Sequence, residues 1–197
     1  MLFLSGITLA VLVGFLAGGK LERIGDLRLT WLWIAPVAFV LQLLVVYGAE
    51  PFSGQLAIPL IVGSHTALVL VALLNLRTAG MVFAAAGLAM NLAVIVANGG
   101  LMPVAPETVR LAGREAWKVG DASPGTRVAY SKDIIKARED TWLEPLADRY
   151  WTGLPGRLGV IFSAGDVVLL AGVCTLVVRT MTAAAPGALN LSKRGVS

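Results

Sequence analysis

Apolar residues in this chain come in long blocks, separated by short charged or glycine-rich stretches. A helix needs roughly 20 mostly apolar residues to cross a hydrocarbon core of about 30 Å. Four blocks of about that length carry no interior Lys, Arg, Asp or Glu: Leu2–Gly18, Thr30–Gly48, Leu56–Leu76 and Ala79–Gly99. A fifth, Leu158–Val178, qualifies with one carboxylate inside it, Asp166. The pattern predicts an all-α polytopic membrane helix bundle with five transmembrane helices, forming a single integral membrane domain over residues 1–197. No Lys or Arg precedes the first block, and Ala17-Gly18-Gly19 leads into charges, so the block reads as a retained helix rather than a secretory signal.

Charge in the short connections sets the orientation, because Lys and Arg resist translocation. Lys20, Arg23 and Arg28 follow the first span, Arg77 follows the third, and Arg179, Lys193 and Arg194 follow the fifth. The connection around Glu50 has no Lys or Arg. The N-terminus is therefore expected outside, the tail 179–197 in the cytoplasm, and the loop 101–157 on the outer side. Basic and acidic residues nearly cancel in that loop, and long segments translocate largely regardless of charge.

The loop has its own local signals. "NGGLMPV" ends the fourth span with Gly99-Gly100 and turns at Pro103, and Pro106 suits the first turn of a short helix running to Trp117. "GDASPGTR" reads as a turn. "SKDIIKAREDTWLEPLADRYW" mixes charge with Ile134, Ile135, Trp142, Leu143, Leu146, Tyr150 and Trp151, which predicts short amphipathic helices on the membrane surface, broken at Pro145. Trp142, Tyr150 and Trp151 suit an interfacial aromatic belt. Small residues in "AGMVFAAAGLAM" suit a closely packed fourth helix.

Composition agrees with a membrane class: 57% of residues are hydrophobic, 14% are charged, and mean hydropathy is +0.80. The net charge of +4 follows from the short connections and points to topology in a bacterial cytoplasmic membrane rather than to nucleic acid. Cys174, the single cysteine, allows neither an intrachain disulfide nor a cysteine metal cluster, and one histidine cannot supply bis-histidine haem ligation. With no phosphate-binding glycine motif and no nucleophile elbow, no cofactor and no metal is expected.

Aligning the spans by depth brings polar residues to one level beneath the outer loop. At about 1.5 Å per residue, Gln42 lies about 9 Å from the outer end of its span, His65 about 13 Å and Asp166 about 12 Å. Asn91 is at a similar depth, Asn98 is at the surface, and Ser163 lies one turn above Asp166. An ionisable group at such a depth must face protein or water, and marks a candidate site. Gln42, His65, Asn91, Asn98 and Ser163 are its candidate partners. The same residues also fit a purely structural role, as polar groups holding helices together.

Two resemblances follow from particular segments. "ANGGLMPV", "DTWLEPLADRYWTGLP" and "GVIFSAGDVVLLAG" resemble a bacterial family of uncharacterised multi-pass membrane proteins with NGG-x-MP and Phe-Ser-x-Gly-Asp motifs. "LADR" followed by "FSAGDVVLLAG" is similar to the end of the lipoprotein signal peptidase family, whose two motif aspartates form a catalytic dyad. That resemblance implies a dyad at Asp148 and Asp166. Pro145 and Ser163 stand where that family carries asparagines.

Three functions are consistent with the sequence. The first is an aspartyl membrane hydrolase using Asp148 and Asp166, one carboxyl protonated and the other activating water. The second is a non-catalytic accessory subunit that docks on partner membrane protein subunits. The third is a module that binds membrane lipids or a small ligand through the outer polar layer.

Overall fold

The structure, a computed structural model, describes residues 2–112, 123–128, 131–154 and 160–183. It is mostly helical. The long helices are α1 (Leu2–Leu16), α2 (Ile34–Tyr47), α3 (Ala57–Leu74), α4 (Met81–Ala97) and α6 (Ala164–Thr182); a short α5 (Pro106–Leu111) precedes α6. By length and composition α3 and α6 are long and apolar enough to cross a membrane. The apolar segments of α1, α2 and α4 are shorter, and α2 is extended at its start by tight turns through Leu29–Trp33.

In space the helices pack in the order α1, α6, α4, α3, α2, so the last helix in sequence lies between the first and the fourth. Small residues set the closest approach. A Cβ at Gly87 of α4 would overlap the backbone of Leu169, and one at Gly172 of α6 would overlap the backbone of Ala84. The small-residue run in α4 thus acts as the packing face for α6.

At one end of the bundle the α1–α2 connection closes on α6. Its 3₁₀ turn, Leu21–Asp26, follows Lys20, whose backbone N–H donates to Met181 O at 2.9 Å; Arg23 Nη1 donates to the same oxygen at 2.9 Å. Asn75, just after α3, donates to Thr30 O at 3.0 Å and accepts from Thr30 N–H at 2.7 Å. This end gathers Lys20, Arg23, Arg28, Arg77 and Arg179.

At the other end the described residues between 99 and 162 form a cap. Gly99 and Gly100 both have positive φ, and Gly100 N–H reaches back to Ile95 O at 2.8 Å, a left-handed helix stop that turns the chain across the bundle. The chain then enters β1 (Met102–Val104), which pairs in parallel with β2 (Asp133–Ile135). A second pair, β3 (Tyr150–Trp151) with β4 (Ile161–Phe162), is antiparallel. Val104, Val109, Ala112, Val128, Ile135 and Ile161 form the cap's own core. Met102 and Ala147 join Val45, Ile61, Val94 and Ile95 to dock the cap on the helices.

Several expectations change here. Pro106 does open a short helix, but only Pro106–Leu111 of it falls within the described residues. The charged stretch after Ser131 forms a strand, the 3₁₀ turn Glu144–Leu146 and β3 rather than amphipathic helices, because its alternating side chains pair with β1 and fill the cap core. Trp151 packs into that core, whereas Trp142 is 70% exposed. The last helix begins at Ala164, not near Leu158, because Ile161–Phe162 is a strand and Ser163 caps the helix. Asp166 is therefore a first-turn residue and not one buried two turns into a span.

Candidate functional site

The site assembles where the cap meets the ends of the helices. β1 is its organiser. On one side of β1, Met102 pairs with Asp133 and its N–H donates to Lys132 O at 3.2 Å. On the other side, Val104 bridges to Asp148, whose N–H donates to Pro103 O at 3.3 Å. Backbone pairing thus brings Lys132-Asp133 and Asp148 together although they are distant in sequence. Asp133 and Asp148 are both buried, at 4% exposure each.

Burial, and then the Asp133 charge facing it, push the Asp148 carboxyl well above its usual value near 3.8; the Lys132 ammonium pulls the other way and Asp166 adds to the rise. Asp133 faces Asp148 in this buried setting, and the proximity of the two carboxyl groups favours the protonated form of Asp148. Asp148 Oδ1 is buried with no hydrogen-bond partner among the described residues. Burial disfavours the Lys132 ammonium, but Asp148, Asp166 and Asp133 together outweigh that cost and hold its pKa above the usual lysine value.

Asp166 is fixed by a reciprocal cap. Ser163 Oγ accepts from Asp166 N–H at 3.0 Å, and Asp166 Oδ2 accepts from Ser163 N–H at 3.1 Å. Asn91 of α4 completes the set: its Nδ2 donates to Asp166 Oδ1 at 2.8 Å while its Oδ1 accepts from Ser163 Oγ at 2.8 Å. Both oxygens of Asp166 thus act as acceptors, the pattern of an ionised carboxylate at the favourable end of a helix dipole.

Gln42 and His65 form a neighbouring group. Gln42 Nε2 donates to Ser64 Oγ at 3.2 Å, and Ser64 Oγ donates to Ile61 O at 3.0 Å. His65 Nδ1 lies 2.9 Å from Ile61 O, which can only accept, so Nδ1 carries the hydrogen. His65 feels the charges of both Lys132 and Asp166, so the two groups share one electrostatic environment. Asn98 instead staples the cap. It donates to Trp142 O at 2.8 Å, accepts from Trp142 N–H at 3.1 Å, and takes a third bond from Lys136 Nζ at 3.0 Å.

Three residues of this region escaped the sequence reading: Lys132, Asp133 and Arg127. Arg127 clamps the cap to the α2–α3 turn, donating to Ser53 O and, at 2.8 Å, to Val45 O. Burial lowers its pKa below the usual arginine value, with Asp133 opposing. The available signal was "KDII", a charged pair leading directly into two β-branched residues, which fits a strand beginning at a buried charge better than a solvated face.

Chemically, the arrangement offers a buried carboxyl at Asp148 whose protonated form is favoured, a hydrogen-bonded carboxyl at Asp166 and an ammonium at Lys132. Among the described residues, no three His, Cys, Asp or Glu side chains converge to hold a metal ion. Searches of curated proteins and of solved structures found no match. Residues 26–178, which include α2, α3, α4, the cap and most of α6, match a family of unknown function, DUF5317, and the chain belongs to that family.

Proposed function

We propose that this is a multi-pass protein of the bacterial cytoplasmic membrane, with five crossings, an outer N-terminus and a cytoplasmic tail. Its outer carboxyl cluster works as an acid–base site on a membrane-anchored substrate. The observation that carries this reading is the split environment of two carboxyl groups. Asp148 is buried facing Asp133, which favours its protonated form, while Asp166 accepts hydrogen bonds at both oxygens. Two carboxyl groups in such different settings can supply an acid and a base at one site.

In a hydrolytic cycle Asp166 takes a proton from the attacking water and Asp148 gives its proton to the leaving group. Lys132 stabilises the oxyanion that forms between them. Asn91 and Ser163 orient Asp166, and Gln42 with His65 borders the site. The partial similarity to the lipoprotein signal peptidase family at Asp148 and Asp166 supports the same assignment. A panel of lipid-anchored peptides in vesicles tests it. The parent cuts at least one peptide, and Asp148→Asn and Asp166→Asn each abolish that cutting. A parent that cuts none, or variants that cut as the parent does, ends the reading.

A second reading rests on burial. Asn91, His65, Asp133, Asp148 and Ser163 are each no more than 5% exposed, as expected of polar groups that lock a cap to a helix bundle. In that case the protein is a non-catalytic accessory subunit. It co-purifies in mild detergent with partner membrane subunits, and a monodisperse lone chain counts against it.

A further inference from the structure

At the end of the bundle opposite the cap, a pocket of about 330 Å³ opens between the α1–α2 connection, the α3–α4 turn and the last turn of α6. Three guanidinium groups line it, Arg23, Arg28 and Arg179, against one carboxylate, Asp26. Arg23 spends one N–H on Met181 O, while the side chains of Arg28 and Arg179 make no hydrogen bond or ion pair among the described residues. Thr78 and Thr180 add hydroxyl donors, and Leu27, Ala79, Leu176 and Ala183 supply an apolar part of its lining. Unpaired guanidinium groups converging on a concavity are ready-made for phosphate oxygens, which they bind in a bidentate fork.

We propose that this pocket binds a phosphate group with net negative charge, that of an anionic phospholipid headgroup. The excess of cations over carboxylate selects an anionic headgroup over a zwitterionic one. The position of the pocket at the basic end of the bundle, with an apolar wall beside it, lets acyl chains stay in the membrane while the phosphate is held. This site is separate from the outer carboxyl cluster and stands whether or not that cluster is catalytic.

The full chain, purified in mild detergent, is mixed with phosphatidylglycerol or phosphatidylcholine at equal mole fraction and examined by native mass spectrometry. Phosphatidylglycerol is retained over phosphatidylcholine by about tenfold, a difference of about 1.4 kcal/mol. Arg28→Gln with Arg179→Gln removes that preference. Both side chains are exposed, so helix packing survives the change. Arg77→Gln, at the same end but outside the pocket, leaves it unchanged. Inorganic phosphate distinguishes the sources: if it raises the melting temperature of the parent but not of the double variant, and displaces the lipid, free phosphate is the ligand. Equal retention of the two lipids with no effect of phosphate overturns the proposal. So does an Arg77→Gln loss as large as that of the double variant.

Discussion

Asn91 Nδ2 lies 2.8 Å from Asp166 Oδ1, joining the cap-side half of α4 to the first turn of α6. The bond is possible because Gly165 precedes Asp166: a Cβ there would overlap Asn91 Oδ1. Helix approach, polar partner and cap are therefore one device.

Replacing Asn91 with Ala should lower the unfolding free energy by about 2 kcal/mol, since it leaves the Asp166 carboxylate and the Ser163 hydroxyl without their partner. Asn91→Asp should be worse, because two carboxylates then face each other. Gly165→Ala should resemble Asn91→Ala, because its methyl displaces the Asn91 side chain. Thermal unfolding of the detergent-solubilised chain measures all three, and a melt unchanged in Asn91→Ala contradicts the role given to this bond.

Ser163→Ala should cost about 1–2 kcal/mol, the usual range for a lost N-cap, and Ser163→Thr should recover most of it. Amide hydrogen exchange reads the effect locally. Exchange should quicken at Asp166 and Val167, whose N–H groups the cap holds, and stay unchanged at the far end of α6.

Asp148 predicts a pH dependence. Its folded pKa is raised, so its contribution to stability is complete below the ordinary carboxyl value near 3.8 and is lost as pH rises through the folded value. Asp148→Asn mimics the protonated acid and has no proton to lose. The melting temperature of the parent should therefore fall relative to that of Asp148→Asn as pH is raised from 5 to 9. Parallel pH profiles would show that Asp148 is ionised in the folded protein.

Lys132→Met should destabilise the chain by about 2–4 kcal/mol, because the ammonium is removed from among three carboxyl groups. Adding Asp133→Asn should restore part of the loss, since one uncompensated charge goes with it. If the two single losses simply add in the double variant, Lys132 and Asp133 are not electrostatically coupled.

Part of this organisation was legible in the linear sequence because it depends on neighbours along the chain. Apolar blocks mark the helices, and Gly99-Gly100 marks the stop after α4. The helix start was legible in principle too: Ser163 and Asp166 stand at capping-box spacing, but the apolar run from Leu158 masked that signal. A hydropathy window cannot tell a buried strand such as Ile161–Phe162 from the first turn of a helix.

The carboxyl cluster was not legible, for a different reason. Lys132, Asp133 and Asp148 sit in a mixed-charge loop, where the spacing of charges looks like a solvated surface. Only the pairing of β1 with β2 and with the Asp148 segment encloses them, and strand pairing between distant segments leaves little trace in one sequence. Asp148 and Asp166 as candidate partners came from local motifs; that Asp148 is buried facing Asp133 is a result of packing. By itself the sequence determined the apolar, mostly helical character of the chain, because hydrophobic length and glycine stops are local properties. Which charges meet was decided by tertiary structure alone, since burial and non-local backbone hydrogen bonds choose their neighbours.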